Sequence, residues 1–160
     1  MKELRVFISW TFVLLWMALI FYLSHQPGDE SASLSGGVME FALSLINRLM
    51  PGIHLAEVEW FHTFIRKGAH FGAYFILGLL VMNALGRSGV LGRKRVLLGI
   101  ITCTTYAISD EFHQLFIPGR SGQVSDVLID SLGACAGIFF FLAIARLSKK
   151  SSAKKQNGAY

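Results

Sequence analysis

The sequence predicts an all-α fold: a polytopic membrane helix bundle of about four transmembrane helices, with an external amphipathic helix between the first and the second. Three observations predict it. The 160 residues are 53% hydrophobic and only 16% charged, whereas soluble domains run at about 45–50% and about 25%. Mean hydropathy is +0.52. Four apolar runs approach the length of about 20 residues that a bilayer crossing needs. Together these exclude an ordinary soluble globule and a disordered chain. Cys103 and Cys135 lie inside apolar runs, where a cysteine is a small core residue rather than a redox or metal group.

The first run, Val6–Leu23, follows a basic leader, Met1–Arg5. A signal peptide begins the same way. This apolar region is too long for one, and it ends in Tyr22-Leu23-Ser24-His25-Gln26-Pro27 without a small-residue cleavage site. It reads as a retained anchor. The stretch from Ser31 to Phe64 is too polar to span. Within it Leu34, Val38, Phe41, Leu45 and Leu49 recur at helical spacing, with Ala42 and Ile46 beside them. That pattern predicts an amphipathic helix on the outer interface, or a lid over the bundle, ended by Pro51-Gly52. His54 and His62 follow, near the interfacial aromatics Trp60 and Phe61, and read as surface histidines. The other spans are Ala69–Leu85, Val96–Phe116 and Val127–Leu147. Residues 1–147 thus form one transmembrane domain, and residues 148–160 a basic, solvated cytoplasmic tail without structure.

Charge orients the bundle. With the N-terminus inside, the inner segments hold Lys2, Arg5, Arg87, Arg93, Lys94, Arg95, Arg146, Lys149, Lys150, Lys154 and Lys155, eleven of the fifteen basic residues. The outer side holds Arg48, Arg66, Lys67 and Arg120. The positive-inside rule therefore predicts a multi-pass protein with both termini cytoplasmic. The net charge of +5 belongs to the inner membrane surface, which removes the support for a nucleic-acid partner. Nine of the ten carboxylates and all five histidines fall on or near the outer side.

Polar residues inside the spans carry the functional signal, because ionisable groups there are costly. At about 100° per residue, Lys67, His70, Phe71 and Tyr74 form one stripe of the second span, with Gly78 beneath and Arg66 at its edge. In the third span Asp110, His113 and Gln114 fall within one face, with Glu111 further round and Tyr106 one turn below Asp110. In the fourth, Asp126 and Asp130 share a stripe with Gly133 and Gly137. Small residues let a neighbouring helix approach, so the polar stripe points into the bundle. The competing reading is a structural network that pairs Arg120 with Asp126 and Lys67 with Asp110. Pro118-Gly119-Arg120-Ser121-Gly122 forms a tight external turn. It brings Arg120, a bidentate phosphate binder, near the N-terminus of the fourth span, which favours negative charge. Asp126 also reads as a plain N-terminal helix residue.

These residues resemble the VanZ-like family of bacterial membrane proteins. The resemblance rests on Arg66-Lys67-x-x-His70-Phe71-x-x-Tyr74 with Leu77-Gly78. It continues through Ser109-Asp110-Glu111-x-His113-Gln114-x-Phe116-x-Pro118-Gly119-Arg120 and Asp126-Val127-x-x-Asp130-x-x-Gly133-x-x-x-Gly137. The Ser24-His25-Gln26-Pro27 ending of the first span is similar too, so the likeness covers nearly all of the chain except the tail. The chain departs from it at Ala73, where members often carry a carboxylate, and near Asp130, where asparagine is common. The resemblance implies a protein of the bacterial cytoplasmic membrane and cell envelope, related to one linked to teicoplanin resistance.

Two functions from different classes follow. In the first, a binding protein holds a membrane lipid or lipid-linked cell-wall precursor in an outward polar pocket, with Arg66, Lys67, His70, Tyr74, Gln114 and Arg120 as ligand-binding residues. In the second, an acid–base enzyme acts on a lipid-linked substrate through Asp110, Glu111, His113, Asp126, Asp130 and His70. The sequence holds no G-x-S-x-G, P-loop or H-E-x-x-H motif. His25, His70 and His113 with Asp110 have metal-ligand chemistry, but no two histidines are four apart and the spacing closes no set, so no metal and no cofactor are expected. A transporter is disfavoured because four spans without a repeat give no alternating-access scaffold. Gly133-x-x-x-Gly137 suits packing within the chain or against a second copy, leaving a homo-oligomer open.

Overall fold

The computed structural model describes residues 1–28 and 59–157, together with positions 36, 37, 44 and 48. The leucines and valine of the expected amphipathic helix, Leu34 to Leu49, and His54 lie outside the described residues. Among the described residues the regular structure is four long helices: α1 Lys2–Ser24, α2 Glu59–Arg87, α3 Gly92–Gln114 and α4 Val124–Asn157. A helix of 23 residues, such as α1, is about 35 Å long and crosses a hydrocarbon core of about 30 Å.

By length and composition three helices can cross a membrane: Lys2–Ser24, and the segments Thr63–Arg87 of α2 and Val124–Ser148 of α4. The third expected span, Val96–Phe116, is not among them. Asp110, Glu111, His113 and Gln114 at the end of α3 lower its hydropathy. Packing nevertheless assigns α3 to the bundle. The backbone of α2 at Phe71 and Phe75 lies against Gly133 and Gly137 of α4, so the two helices run parallel. Two parallel apolar helices joined in sequence need a return through the same thickness, and α3 is that return.

The α2–α4 contact forms the spine of the bundle. A Cβ at Gly133 or Gly137 would run into the carbonyl oxygen of Phe71 or Phe75, and one at Gly78 into that of Ala134. The glycine stripe is thus spent within the chain, as close helix approach in lipid requires. Below it, Tyr74, Leu77, Val81, Ala84, Cys103, Ala107 and Ala134 form the core with Val13 and Ile20 of α1. Donors on the flanks fix the outer helices. Trp16 Nε1 donates to the Ala73 carbonyl at 2.9 Å, Trp10 Nε1 to Ser88 Oγ at 3.0 Å, and the Tyr106 hydroxyl to the Met17 carbonyl at 2.5 Å. The exposed side chains of α1, Phe7, Phe12, Leu14, Leu15 and Leu19, are apolar, as lipid contact demands.

Turn chemistry sets the connections. The α2–α3 turn is a Schellman motif: Gly89 takes φ +84°, its N–H bonds the Gly86 carbonyl, and the Val90 N–H reaches back to Leu85. Arg95 then donates to the Met82 carbonyl and lies 4.8 Å over the Phe141 ring. Lys2, Arg5 and Arg87 gather at this end of the bundle around a cleft of about 270 Å³. At the opposite end Ile117-Pro118-Gly119-Arg120 makes the expected tight turn, with Gly119 at φ +73° and the Arg120 N–H on the Ile117 carbonyl. The helix of α4 continues past Leu147 to Asn157, where the composition suggested a tail without structure. No glycine or proline interrupts it there, and each added residue of a formed helix needs only one further hydrogen bond.

Candidate functional site

Among the described residues the buried carboxylates collect at the end where α1 and α3 finish and α4 begins. α3 supplies Asp110, Glu111 and Gln114, and α4 supplies Asp126 and Asp130, each no more than 4% exposed. α2 supplies Arg66, Lys67, His70 and Tyr74. Ser24 of α1, buried as well, closes the group.

Asp126 sits in the first turn of α4, yet it is not a plain cap. Lys67 Nζ lies 3.3 Å and Arg66 Nη2 3.8 Å from its carboxylate. Two cations therefore share one anion at the rim, with Lys67 about 30% and Arg66 about 40% exposed along their side chains. The helix N-terminus adds to the attraction for negative charge. One turn deeper, His70 Nδ1 stands 3.3 Å from Asp130 Oδ1. Below that, the Tyr74 hydroxyl is buried with no hydrogen-bond partner, as are Asp130 Oδ2 and Asp110 Oδ1.

α3 presents a different face from the one expected. Asp110, Glu111 and Gln114 all enter the site. Ser24 Oγ donates to Asp110 Oδ2 at 2.8 Å, Gln114 Nε2 lies 3.4 Å from both Asp110 Oδ2 and Glu111 Oε1, and the Gln123 N–H donates to Glu111 Oε2 at 3.0 Å. His113 turns away to α1. Its Nε2 is 3.1 Å from His25 Nδ1, and it stacks on Phe21 at 4.5 Å between centroids. At about 100° per residue, Cys103 and Ala107 lie on the bisector of Asp110 and Glu111 and about 100° from His113. Those two small buried residues were the sequence signal for the right face. Ser24 was visible only as the end of the first span, because its role depends on where α1 docks.

Arg120 pairs with neither Asp126 nor open solvent. Its Nε donates to the Gln26 carbonyl at 3.1 Å, Nη2 to the Leu23 carbonyl at 3.0 Å, and Nη1 to Gln114 Oε1 at 3.3 Å. Burial, with help from Arg66, lowers its pKa, while Asp110 and Glu111 raise it; a guanidinium stays charged throughout. The residue caps α1 and braces Gln114. Lys67 likewise pairs with Asp126 rather than with Asp110.

The deep part of the site is acidic. Asp110, Glu111 and Asp130 each offer an oxygen within 4.8 Å of the other two, and His70, Glu111 and Asp126 form a second such set. Two unit charges at that distance repel by about 3.5 kcal/mol at an effective dielectric of about 20. Sequence spacing closed no ligand set because the members come from two helices in the first set and three in the second. The arrangement can hold a cation, or relay protons between carboxylates and His70.

Fold and site together define a small helical membrane protein with a carboxylate–histidine cluster buried at one end of its bundle. The chain belongs to the VanZ/LLP1 family, whose model matches residues 9–146. The match runs from within α1 through the apolar length of α4. No curated protein matches the chain, and no solved structure does.

Proposed function

We propose that this protein sits in the bacterial cytoplasmic membrane with both termini cytoplasmic, and that its polar end opens outward as a pocket for an anionic lipid or lipid-linked cell-wall precursor. One observation carries the reading: Arg66 and Lys67, partly exposed, flank the single buried carboxylate of Asp126 at the rim of the cluster. Two cations against one anion leave positive charge where a phosphate headgroup would arrive, with His70 one turn below. The Arg-Lys rim and the lysine and arginine side chains at the opposite end support the orientation. Binding a precursor at the outer surface would bring the protein into contact with teicoplanin-type glycopeptide action, and altered drug susceptibility is the expected phenotype.

Native mass spectrometry of the full chain released from lipid nanodiscs tests this. The wild type carries an anionic or polyprenyl lipid, and an Arg66→Ala, Lys67→Ala variant loses it. Bare wild-type protein, or the same adduct in both, refutes the reading. The His70–Asp130 contact and the buried Tyr74 hydroxyl favour a second reading on the same ligand, acid–base hydrolysis or transfer. Product formation from the captured lipid, lost in His70→Gln, distinguishes it.

A further inference from the structure

Asp110, Glu111 and Asp130 are 2%, 4% and 0% exposed, and each offers an oxygen within 4.8 Å of the other two. Proximity of acids alone does not make a site. The second observation is that Asp110 Oδ1 and Asp130 Oδ2 are buried without a hydrogen-bond donor, while Asp130 Oδ1 has only His70 Nδ1, 3.3 Å away. Buried polar atoms almost always find a partner. Here the protein holds Asp110 Oδ2 through Ser24 and Gln114, and both Glu111 oxygens, Oε1 through Gln114 Nε2 and Oε2 through the Gln123 N–H. It leaves Asp110 Oδ1 and Asp130 Oδ2 bare. Among the described residues no lysine or arginine forms an ion pair with any of the three; Arg66 and Lys67 are engaged with Asp126. Carboxylates oriented by hydrogen bonds, brought within ligand distance of one another, are the pattern of metal ligands and their supporting partners.

The geometry selects the kind of ion. Oxygens about 2.1 Å from Mg²⁺ or about 2.4 Å from Ca²⁺ stand at most about 4.2 or 4.8 Å apart across it. An all-oxygen set suits Mg²⁺, Mn²⁺ or Ca²⁺ rather than softer metals. We propose that Asp110, Glu111 and Asp130 bind one hard divalent cation at the centre of the polar cluster, with His70 as the supporting partner of Asp130. The ion neutralises charge that the protein leaves uncompensated. It stands apart from the lipid reading, because the carboxylates alone define it.

The test uses the full chain in detergent, stripped with a chelator, and Mn²⁺ alone as the probe. Paramagnetic resonance titration is expected to find one Mn²⁺ per chain, displaced by Mg²⁺ or Ca²⁺. Affinity is expected to fall at least about tenfold in Asp110→Asn and in Asp130→Asn, both with wild-type helix content by circular dichroism. Binding also shifts the carboxylate stretching bands of the wild-type protein in the infrared, a readout that needs no variant to fold. The proposal is overturned by no Mn²⁺ uptake at millimolar concentration, by unchanged affinity in both variants, or by no infrared shift. A directly bonded histidine nitrogen in the spin-echo modulation also overturns it, since that puts the ion on the His70–Glu111–Asp126 set. A lipid adduct that persists in stripped protein separates the fate of this site from that of the lipid reading.

Discussion

Replacing Arg120 separates a brace from a ligand-binding group. Its three nitrogens bond the Leu23 and Gln26 carbonyls and Gln114 Oε1, at 3.0, 3.1 and 3.3 Å. Hydrogen bonds to a charged group contribute about 1.5–3 kcal/mol each when well sheltered. Arg120 is only half-buried, the longest of the three is weak, and water can replace it at helix-end carbonyls. Arg120→Ala is therefore expected to cost about 2–4 kcal/mol in total. Arg120→Lys should recover little of this, since an ammonium cannot span three acceptors as a planar fork does. Thermal unfolding in detergent, read by tryptophan fluorescence, is the assay. Trp16 reports on α1 directly because its indole is bonded to Ala73 across the α1–α2 contact. A lysine variant as stable as the wild type refutes the brace. So does an alanine variant that keeps full stability but loses its lipid adduct, because charge and ligand would then account for the residue.

Other outcomes follow from the packing and the rim. Gly137→Val should abolish the folded bundle, because even a Cβ there meets the Phe75 carbonyl, whereas Gly68→Ala, with nothing within 4 Å, should be neutral or stabilise by up to about 1 kcal/mol; circular dichroism melts in detergent compare the two. Lys67→Met should cost more than Lys67→Met combined with Asp126→Asn, since the single change leaves a buried carboxylate short of a partner. A coupling of about 1–2 kcal/mol is expected from the double-mutant cycle, and additive effects would remove the pair from the account. For orientation, in a background of Cys103→Ala and Cys135→Ala, a cysteine at Ser121 should react in intact cells with an impermeant maleimide, and one at Arg93 should react only after lysis. The reverse labelling would invert the topology.

The helices were legible because apolar runs of this length have one use, and the α2–α4 contact because Gly78, Gly133 and Gly137 share faces with the polar stripes. Lys67, His70 and Tyr74 were legible for the same reason. What escaped was pairing between helices. A helical wheel gives each residue's angle on its own axis but not the rotation of that axis in the bundle. A rotation of α3 by some 50° brings Glu111 in and sends His113 to His25. The local turn at Arg120 is compatible with a phosphate binder, but its partners, Leu23 and Gln26, lie more than ninety residues earlier in the chain. The metal sets were hidden likewise, since spacing rules find ligands on one helix and these come from α2, α3 and α4.

The composition of α3 ties the fold to the site. Asp110, Glu111, His113 and Gln114 make it the one helix of four that falls short of an independent span, and carboxylates at membrane depth oppose both insertion and folding. A bundle that had only to stand would be better served by apolar side chains against Ser24 and Asp130. α3 is carried through the membrane by its neighbours: parallel α2 and α4 require the return, and Tyr106 fastens it to α1. The cost is thus concentrated in the three carboxylates, and isosteric neutral residues should relieve it. Asp110→Asn with Glu111→Gln is expected to insert and accumulate at least as well as the wild type, and to resist thermal unfolding in chelator better. The same variant should fail to bind Mn²⁺ yet keep the lipid adduct that rests on Arg66 and Lys67. Should it instead unfold, the carboxylates hold the bundle together through their hydrogen bonds to Ser24 and Gln123, and a structural network would explain the cluster better than a binding site.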